Sequence, residues 1–280
     1  MKYNVGIIGF GFVGRAVHHG FAQTANFYIY DVDERVSENT FEEVVSLSDF
    51  IFVCVPTPTD IETGKQDTSI IESVFEKAKS LHIEHEPIFI IKSTLIPGTT
   101  ASLREKYPEL RIIFNPEFLT ERTYKLDFIN ASRIILGGNE IDCILVKSLY
   151  QERFPEGSVP IHIVDETTAE AVKELTNSFL AAKVSLCNEI YDICKGLGIS
   201  YDQTMGLILA DGRIGRSHTV VPGHDGDRGF GGKCFPKDLV ATKTLAKEKG
   251  VKTPILDAAW EKNLEVRRNK DWLKIKGAMS

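Results

Sequence analysis

Short apolar runs alternate with amphipathic stretches over the first 165 residues of the chain, and longer helical periods take over after them. Runs at Asn4–Gly9, Phe27–Asp31, Phe50–Val55, Ile88–Lys92, Ile112–Phe114 and Ile134–Gly137, with a further one at Ile161–Val164, predict strands. Helical spacing fills the intervals, and that alternation predicts a doubly wound, mostly parallel sheet. From about Thr167 to Cys194 the apolar residues Val172, Leu175, Phe179, Ala182, Leu186, Ile190 and Ile193 recur at spacings of three and four, one continuous stripe. Thr167 with Glu170 reads as a capping box at its start. Such a length suits a helix passing from one domain into another, or one pairing with its copy in a dimer. Helical patterns follow from Pro236 to Gly250 and from Ile255 to Arg267, and a short polar tail ends the chain. The pattern predicts an α/β domain over residues 1–165 and a small all-α domain over 166–280.

Composition adds exclusions. With 280 residues, 42% hydrophobic and 26% charged, the chain has the make-up of a globular protein. A net charge of −6 argues against a nucleic-acid surface. No apolar stretch reaches membrane-spanning length, and the N-terminus runs straight into a strand without a signal-peptide pattern, so no membrane association and a cytoplasmic location are expected. Five cysteines without a CxxC pair suit a reducing compartment, and seven histidines without an HExxH or Cys/His cluster predict no metal. Cys187 and Cys194 share a helix face and read as core residues.

Two segments carry candidate chemistry. In GFGFVG, Gly9, Gly11 and Gly14 follow a strand and open a helix, with Phe12 and Val13 between them, and Asp31 ends the next strand. Gly9 permits the tight turn, Gly11 lets backbone N–H groups reach a pyrophosphate, Gly14 lets helix and strand pack closely, and Asp31 binds a ribose hydroxyl pair. This is a Rossmann-like dinucleotide fingerprint, and an acid at Asp31 favours NAD over NADP. Arg35 reads either as a second adenosine-side contact or as a solvated loop arginine. The second segment, GFGGKCFPKD over Gly229–Asp238, presents Cys234 just before a helix start. The helix dipole, Lys233 and Lys237 favour its thiolate and Asp238 opposes them; the alternative is a buried structural cysteine in a glycine-rich turn. Lys173 and Asn177 are four apart, hence neighbours beside the long helix's stripe, where a lysine is commonly a solvated flank.

GFGFVG, CVPTPT at Cys54–Thr59, STLIPGTT at Ser93–Thr100, NPEFLTE at Asn115–Glu121, AEAVKELTN at Ala169–Asn177, DGRIG at Asp211–Gly215 and GFGGKCFPKD together resemble the UDP-glucose/GDP-mannose dehydrogenase family, in order and spacing across nearly the whole chain. The resemblance implies a four-electron oxidation of the C6 alcohol of a nucleotide sugar, UDP-glucose to UDP-glucuronate by default, with two NAD molecules used in succession. It makes Cys234 the nucleophile that forms a thiohemiacetal and then a thioester. Lys173 would supply charge to the oxyanions with Asn177 beside it, Glu121 and Asp238 would orient or activate the hydrolytic water, and Thr94 would position a water near the nicotinamide. Thr57, Thr94, Glu121 and Lys237 would join the cofactor contacts. Glu117, Phe118, Leu119, Lys173, Asn177, Phe230 and Gly231 would contact substrate, and Arg213 would do so in the neighbouring subunit of a homodimer built on the long helix. Plainer readings stand beside these: Thr57 as the end of a strand, and Asp238 as a complement to the helix dipole.

The chain departs from the family at Arg122, where a glycine is usual, and it stops before the family's third domain. The loop carrying SHTVVPGHDGD is expected to replace some of the lost contacts, with a separate chain as the other candidate. Two alternatives stand beside the leading reading: a two-electron dehydrogenase of the β-hydroxyacid type, and a non-catalytic NAD-binding protein.

Overall fold

Alternation in the first half of the chain becomes one seven-stranded sheet in the computed structural model, which describes residues 2–60, 62–81 and 85–275. The strands are β1 (Tyr3–Ile8), β2 (Ala25–Tyr30), β3 (Phe50–Val53), β4 (Ile88–Ile91), β5 (Arg111–Phe114), β6 (Ile134–Gly138) and β7 (Ile161–Val164). Their order is β2-β1-β3-β4-β5-β6-β7, parallel except for an antiparallel pairing of β5 with β6. The chain moves outward from β1 to β2 and then crosses to β3 on the other side of β1. That reversal makes a switch point at the carboxyl ends of β1 and β3. The first four strands end one or two residues earlier than their apolar runs suggest, so Gly9, Asp31, Cys54 and Lys92 stand at loop starts along this edge.

Both faces of the sheet are covered, which is why the strands read as nearly unbroken apolar runs. Val5, Ile7, Phe52, Ile90 and Ile113 pack against α1 (Phe12–Phe21), α5 (Tyr124–Ile129) and α6 (Glu140–Arg153). Ile8, Ile51, Val53, Phe89 and Ile91 pack against α2 (Phe41–Leu47), α3 (Ser69–Lys79) and α4 (Thr99–Lys106).

The structure divides into two compact units, Met1–Thr57 with Thr68–Lys173, and Pro58–Asp67 with Glu174–Ser280. The break falls inside α7 (Glu166–Leu197), later than residue 165, because the helix's first turns bury Ala169 and pack Val172 against the residues of the sheet. The expected capping box is absent. Asp165 caps the helix instead, its carboxylate accepting from the Thr168 N–H at 2.8 Å and from the Thr168 hydroxyl at 2.6 Å. Glu170 turns away to cap α4, accepting from the Gly98 and Thr100 N–H groups at 2.6 and 2.7 Å.

The second unit holds the rest of α7, α8 (Tyr201–Ile208), α9 (Phe235–Glu248), α10 (Pro254–Val266) and the loop at Pro58–Asp67. Here α7 turns a largely polar face inward. Its buried face carries Glu174, Asn177, Ser178, Ala181, Ser185 and Asn188, with Cys187 and Cys194 in the core as expected, whereas Leu175, Phe179, Leu186 and Ile193 of the apolar stripe are exposed, Phe179 by 72%. Polar pairs explain the inward face: Ser178 donates to the Thr242 hydroxyl, and Ser185 donates to the Ala259 carbonyl. The segment containing SHTVVPGHDGD is integral to this unit. Thr219 and Val221 are buried, the Tyr201 hydroxyl donates to the Thr219 carbonyl, and Asp225 and Asp227 anchor the chain beyond α10. The polar tail is described only to residue 275.

Candidate active site

In the first unit the glycine turn has the shape that a dinucleotide needs. Gly9 has φ +94°, and a Cβ there would lie 2.8 Å from the Cys54 carbonyl oxygen. At Gly14 a Cβ would lie 2.3 Å from the Gly9 carbonyl oxygen, so helix and turn touch backbone to backbone. Gly11 faces open space, and as the N-cap of α1 it offers no side chain to the helix's first N–H groups. Those donors, beginning at Phe12 and Val13, are left for an anion. Asp31 ties the two loops together, accepting from the Phe10 N–H at 2.6 Å and from the Asp33 N–H at 2.9 Å, and its oxygens retain lone pairs for a ribose diol. These residues fit a dinucleotide. Arg35 is exposed and paired with Asp33 at 2.7 Å. Further along the same edge, the Thr57 hydroxyl donates to the Thr94 carbonyl at 2.8 Å, bringing two expected cofactor residues together.

The loop after β5 holds a buried ion pair. Lys173 Nζ lies 2.9 Å from Glu117 Oε1, with both side chains at most 5% exposed. The other Glu117 oxygen accepts from the Leu119 N–H at 2.6 Å, and Lys173 sits 5.6 Å from the centre of the Phe118 ring. Glu117, Phe118, Leu119 and Lys173 are therefore one assembly. Glu121 lies in an exposed turn beyond it. Behind the assembly is a group that the sequence reading missed: Lys92 donates to Asn115 Oδ1 at 3.0 Å, and the Tyr150 hydroxyl donates to the same oxygen at 2.5 Å. Burial pulls the Lys92 ammonium down to about 8, against the raising influence of Cys54 and Glu117. The available signal was a lone cation at the end of the apolar run IFII, where a charge is seldom buried without a task.

In the second unit Cys234 is the N-cap of α9, one residue before the helix begins at Phe235, with Pro236 in the first turn. It is half-buried. Burial pushes the thiols of Cys54 and Cys143 up to about 12 and raises that of Cys187, which leaves them poor nucleophiles. In the first turn of α9, Asp238 is fully buried and takes a hydrogen bond from Asn177 Nδ2 at 2.5 Å on one oxygen and an ion pair from Lys237 on the other. Burial opposes the charge on Lys237, yet Asp238 and Glu174 hold its ammonium above the usual lysine range. Asn177, Lys237 and Asp238 thus form a closed cluster beneath the helix start, and Lys237, expected to meet cofactor, lies on Asp238. The Phe230 ring, expected at the substrate, packs with Ala181 and Leu239 in the core of this unit, and its N–H is donated to Asn263. Gly231 lies against Arg267. Arg213 is exposed and paired with Asp211.

Among the described residues no group of three or more His, Cys, Asp or Glu is placed to hold a metal, and no helix is long and apolar enough to cross a membrane. Comparison with known families decides what this arrangement belongs to. The NAD binding domain of the UDP-glucose/GDP-mannose dehydrogenase family matches residues 30–154, and the central domain of that family matches residues 167–265. The chain belongs to this family. Its dinucleotide is therefore NAD. Among UDP-glucose/GDP-mannose dehydrogenase relatives, a UDP-glucose 6-dehydrogenase of Rickettsia bellii is 32% identical, over 83% of this chain and 53% of the relative. One from Campylobacter jejuni is 28% identical, over 86% and 59%. The chain spans about half the length of the curated relatives it matches. A solved UDP-glucose dehydrogenase from the archaeon Pyrobaculum islandicum superposes with a TM-score of 0.82 at 25% identity, over 95% of this chain and 68% of the other. A 3-hydroxyisobutyrate dehydrogenase from Mycobacterium tuberculosis shares the fold alone, with a TM-score of 0.74 at 15% identity, over 93% and 92%.

Proposed function

We propose that this chain oxidises the C6 alcohol of a nucleotide sugar to a carboxylate, with UDP-glucose the first candidate. The observation that carries the reading is Cys234 at the N-cap of α9 above the closed Asn177, Lys237 and Asp238 cluster. A four-electron oxidation needs a group that retains the aldehyde, and a thiolate at a helix N-terminus is such a group. The turn at Gly9–Gly14 and Asp31 would hold NAD, and two NAD molecules in succession would accept the two hydrides. The Cys234 sulfur adds to the aldehyde carbon and the oxygen takes a proton, giving a thiohemiacetal. Loss of a second hydride together with the hydroxyl proton leaves a thioester, and water adds to its carbonyl carbon and displaces the sulfur, releasing the carboxylate and returning the thiol. Lys173 supports the oxyanions, with Glu117 as its counterion, and Asn177 fixes Asp238 as the carboxylate that orients water. Thr57, Thr94 and Glu121 line the cofactor side in this reading, with Arg35 and Lys237 as further cofactor contacts.

The exposed apolar stripe of α7 supports a homodimer, in which Arg213 would serve the partner subunit's sugar nucleotide. A stripe of large apolar side chains left uncovered along one helix is what a second copy of that helix would bury.

The test is NADH stoichiometry with UDP-glucose, GDP-mannose and their N-acetylated counterparts, in wild type and Cys234→Ser. Two NADH per sugar, falling to at most one in the variant, supports the proposal; two NADH in both would refute the covalent route. The likeness in fold to 3-hydroxyisobutyrate dehydrogenase, nearly complete over both chains, keeps a two-electron reading in view. That reading gives one NADH per hydroxyacid and no dependence on Cys234.

A further inference from the structure

The turn that presents Cys234 is made of residues that cannot fix themselves. Gly229, Gly231 and Gly232 lie within six residues of each other and the cysteine, and glycine gives up more conformational freedom on folding than any other residue. Gly229 and Gly232 adopt φ +70° and +76°, values open to many competing turns. Something outside the turn must select one conformation. The second unit supplies it from α10 and the chain just beyond. Asn263 Oδ1 accepts from the Phe230 N–H at 2.7 Å. Both carboxylate oxygens of Asp271 lie 3.2 Å from the Gly232 N–H, two residues before the sulfur. Arg267 locks these pieces together. Its guanidinium, only 2% exposed, donates to Asp225 at 2.6 Å, Asp271 at 3.3 Å, the Asn269 carbonyl at 2.9 Å and the Arg228 carbonyl at 3.5 Å.

Packing is as tight as the bonding. A Cβ at Gly231 would lie 2.3 Å from Arg267 Nη2 and 2.4 Å from Asp271 Oδ1, and one at Gly229 would lie 2.3 Å from Asn263 Oδ1. The backbone therefore rests directly on this triad. A planar guanidinium can serve two carboxylates and two carbonyls at once in fixed directions, which an ammonium cannot. We infer that Arg267, with Asn263 and Asp271, positions the glycine turn and so sets where the Cys234 sulfur stands. None of the three is a catalytic residue; they act through the backbone of residues 228–232.

The inference rests on the reading of Cys234 as nucleophile, and the experiment separates the two. Arg267→Met and Arg267→Lys are compared with wild type in the full chain by two readouts. One is the rate of Cys234 alkylation by iodoacetamide, followed by mass spectrometry with an added cysteine peptide as internal reference and Cys54 as the unreactive control, which needs no turnover. The other is kcat, KM for NAD and NADH per sugar. The expected result is a changed Cys234 alkylation rate with Cys54 unaffected, a kcat loss on the order of 10²-fold, an unchanged KM for NAD, and a stoichiometry falling from two towards one. Lysine should not rescue. Should Arg267→Met fail to fold, Asp271→Asn keeps an acceptor for Gly232 while removing the charge that holds Arg267, and it should shift the same readouts in the same direction. Wild-type alkylation and stoichiometry in folded Arg267→Met, or in Asp271→Asn, would overturn the inference. A wild-type protein that oxidises no nucleotide sugar would sink the proposed function, while the alkylation comparison would still decide on the triad.

Discussion

Lys92 illustrates how one residue can carry a cost that only its surroundings reveal. Its ammonium is buried against Asn115, and burial lowers its affinity for a proton from the ordinary lysine range to about 8. The folded state therefore binds fewer protons than the unfolded chain between about pH 8 and the ordinary lysine value near 10.4. The contribution of Lys92 to stability therefore rises with pH across that window, the reverse of what a salt-bridged lysine gives, while the raised thiols of Cys54 and Cys143 contribute in the opposite sense. Lys92→Met should remove this contribution, so that between pH 7.5 and 9.5 the variant gains less stability, or loses more, than wild type in urea denaturation. A variant that keeps the full wild-type slope would show that another group is responsible. In sequence Lys92 was merely the last residue of a strand, because neither Asn115 nor Tyr150 is near it along the chain.

At the scale of elements, the first crossover separates two kinds of glycine. Gly14→Ala forces a Cβ to 2.3 Å from a backbone oxygen, so it should destabilise the fold by about 1–3 kcal/mol. Gly11→Ala meets open space, so it should leave thermal unfolding nearly unchanged while weakening NAD binding in calorimetry. Equal effects of the two on stability would contradict this division of labour. The start of α7 offers a second contrast. Asp165→Ala removes the carboxylate that accepts from Thr168 and should cost about 1 kcal/mol. Thr167→Ala, at the position read from sequence as the cap, should cost much less in the same denaturation experiment. The misreading has a plain cause: Thr167 and Glu170 have capping-box spacing, but Glu170 satisfies α4 across seventy residues of sequence.

For the whole molecule the decisive feature is the buried polar face of α7. A buried row of Glu174, Asn177, Ser178 and Ser185 is stable because α9 and α10 supply partners, Thr242 to Ser178 and the Ala259 carbonyl to Ser185. Exposed Leu175, Phe179, Leu186 and Ile193 then have no cover within the described residues. The homodimer proposed on this stripe should sediment at twice 31.3 kDa. Phe179→Asp combined with Leu186→Asp should sediment as a monomer with its far-ultraviolet spectrum intact. A wild type that is already monomeric at micromolar concentration would refute the arrangement.

The sequence by itself determined the sheet, the glycine turn with Asp31, and the candidacy of Cys234. These depend on local rules: strand alternation, the steric freedom of glycine, and a proline at a helix start. The tertiary structure decided what local rules cannot express. It paired Lys173 with Glu117, closed Asn177 and Lys237 on Asp238, turned the apolar side of α7 outward, and brought Asn263, Arg267 and Asp271 under the cysteine's turn. Each joins groups far apart in the chain or sets which face of an element finds partners. Burial and hydrogen-bond satisfaction, properties of the folded whole, select among the options that periodicity leaves open.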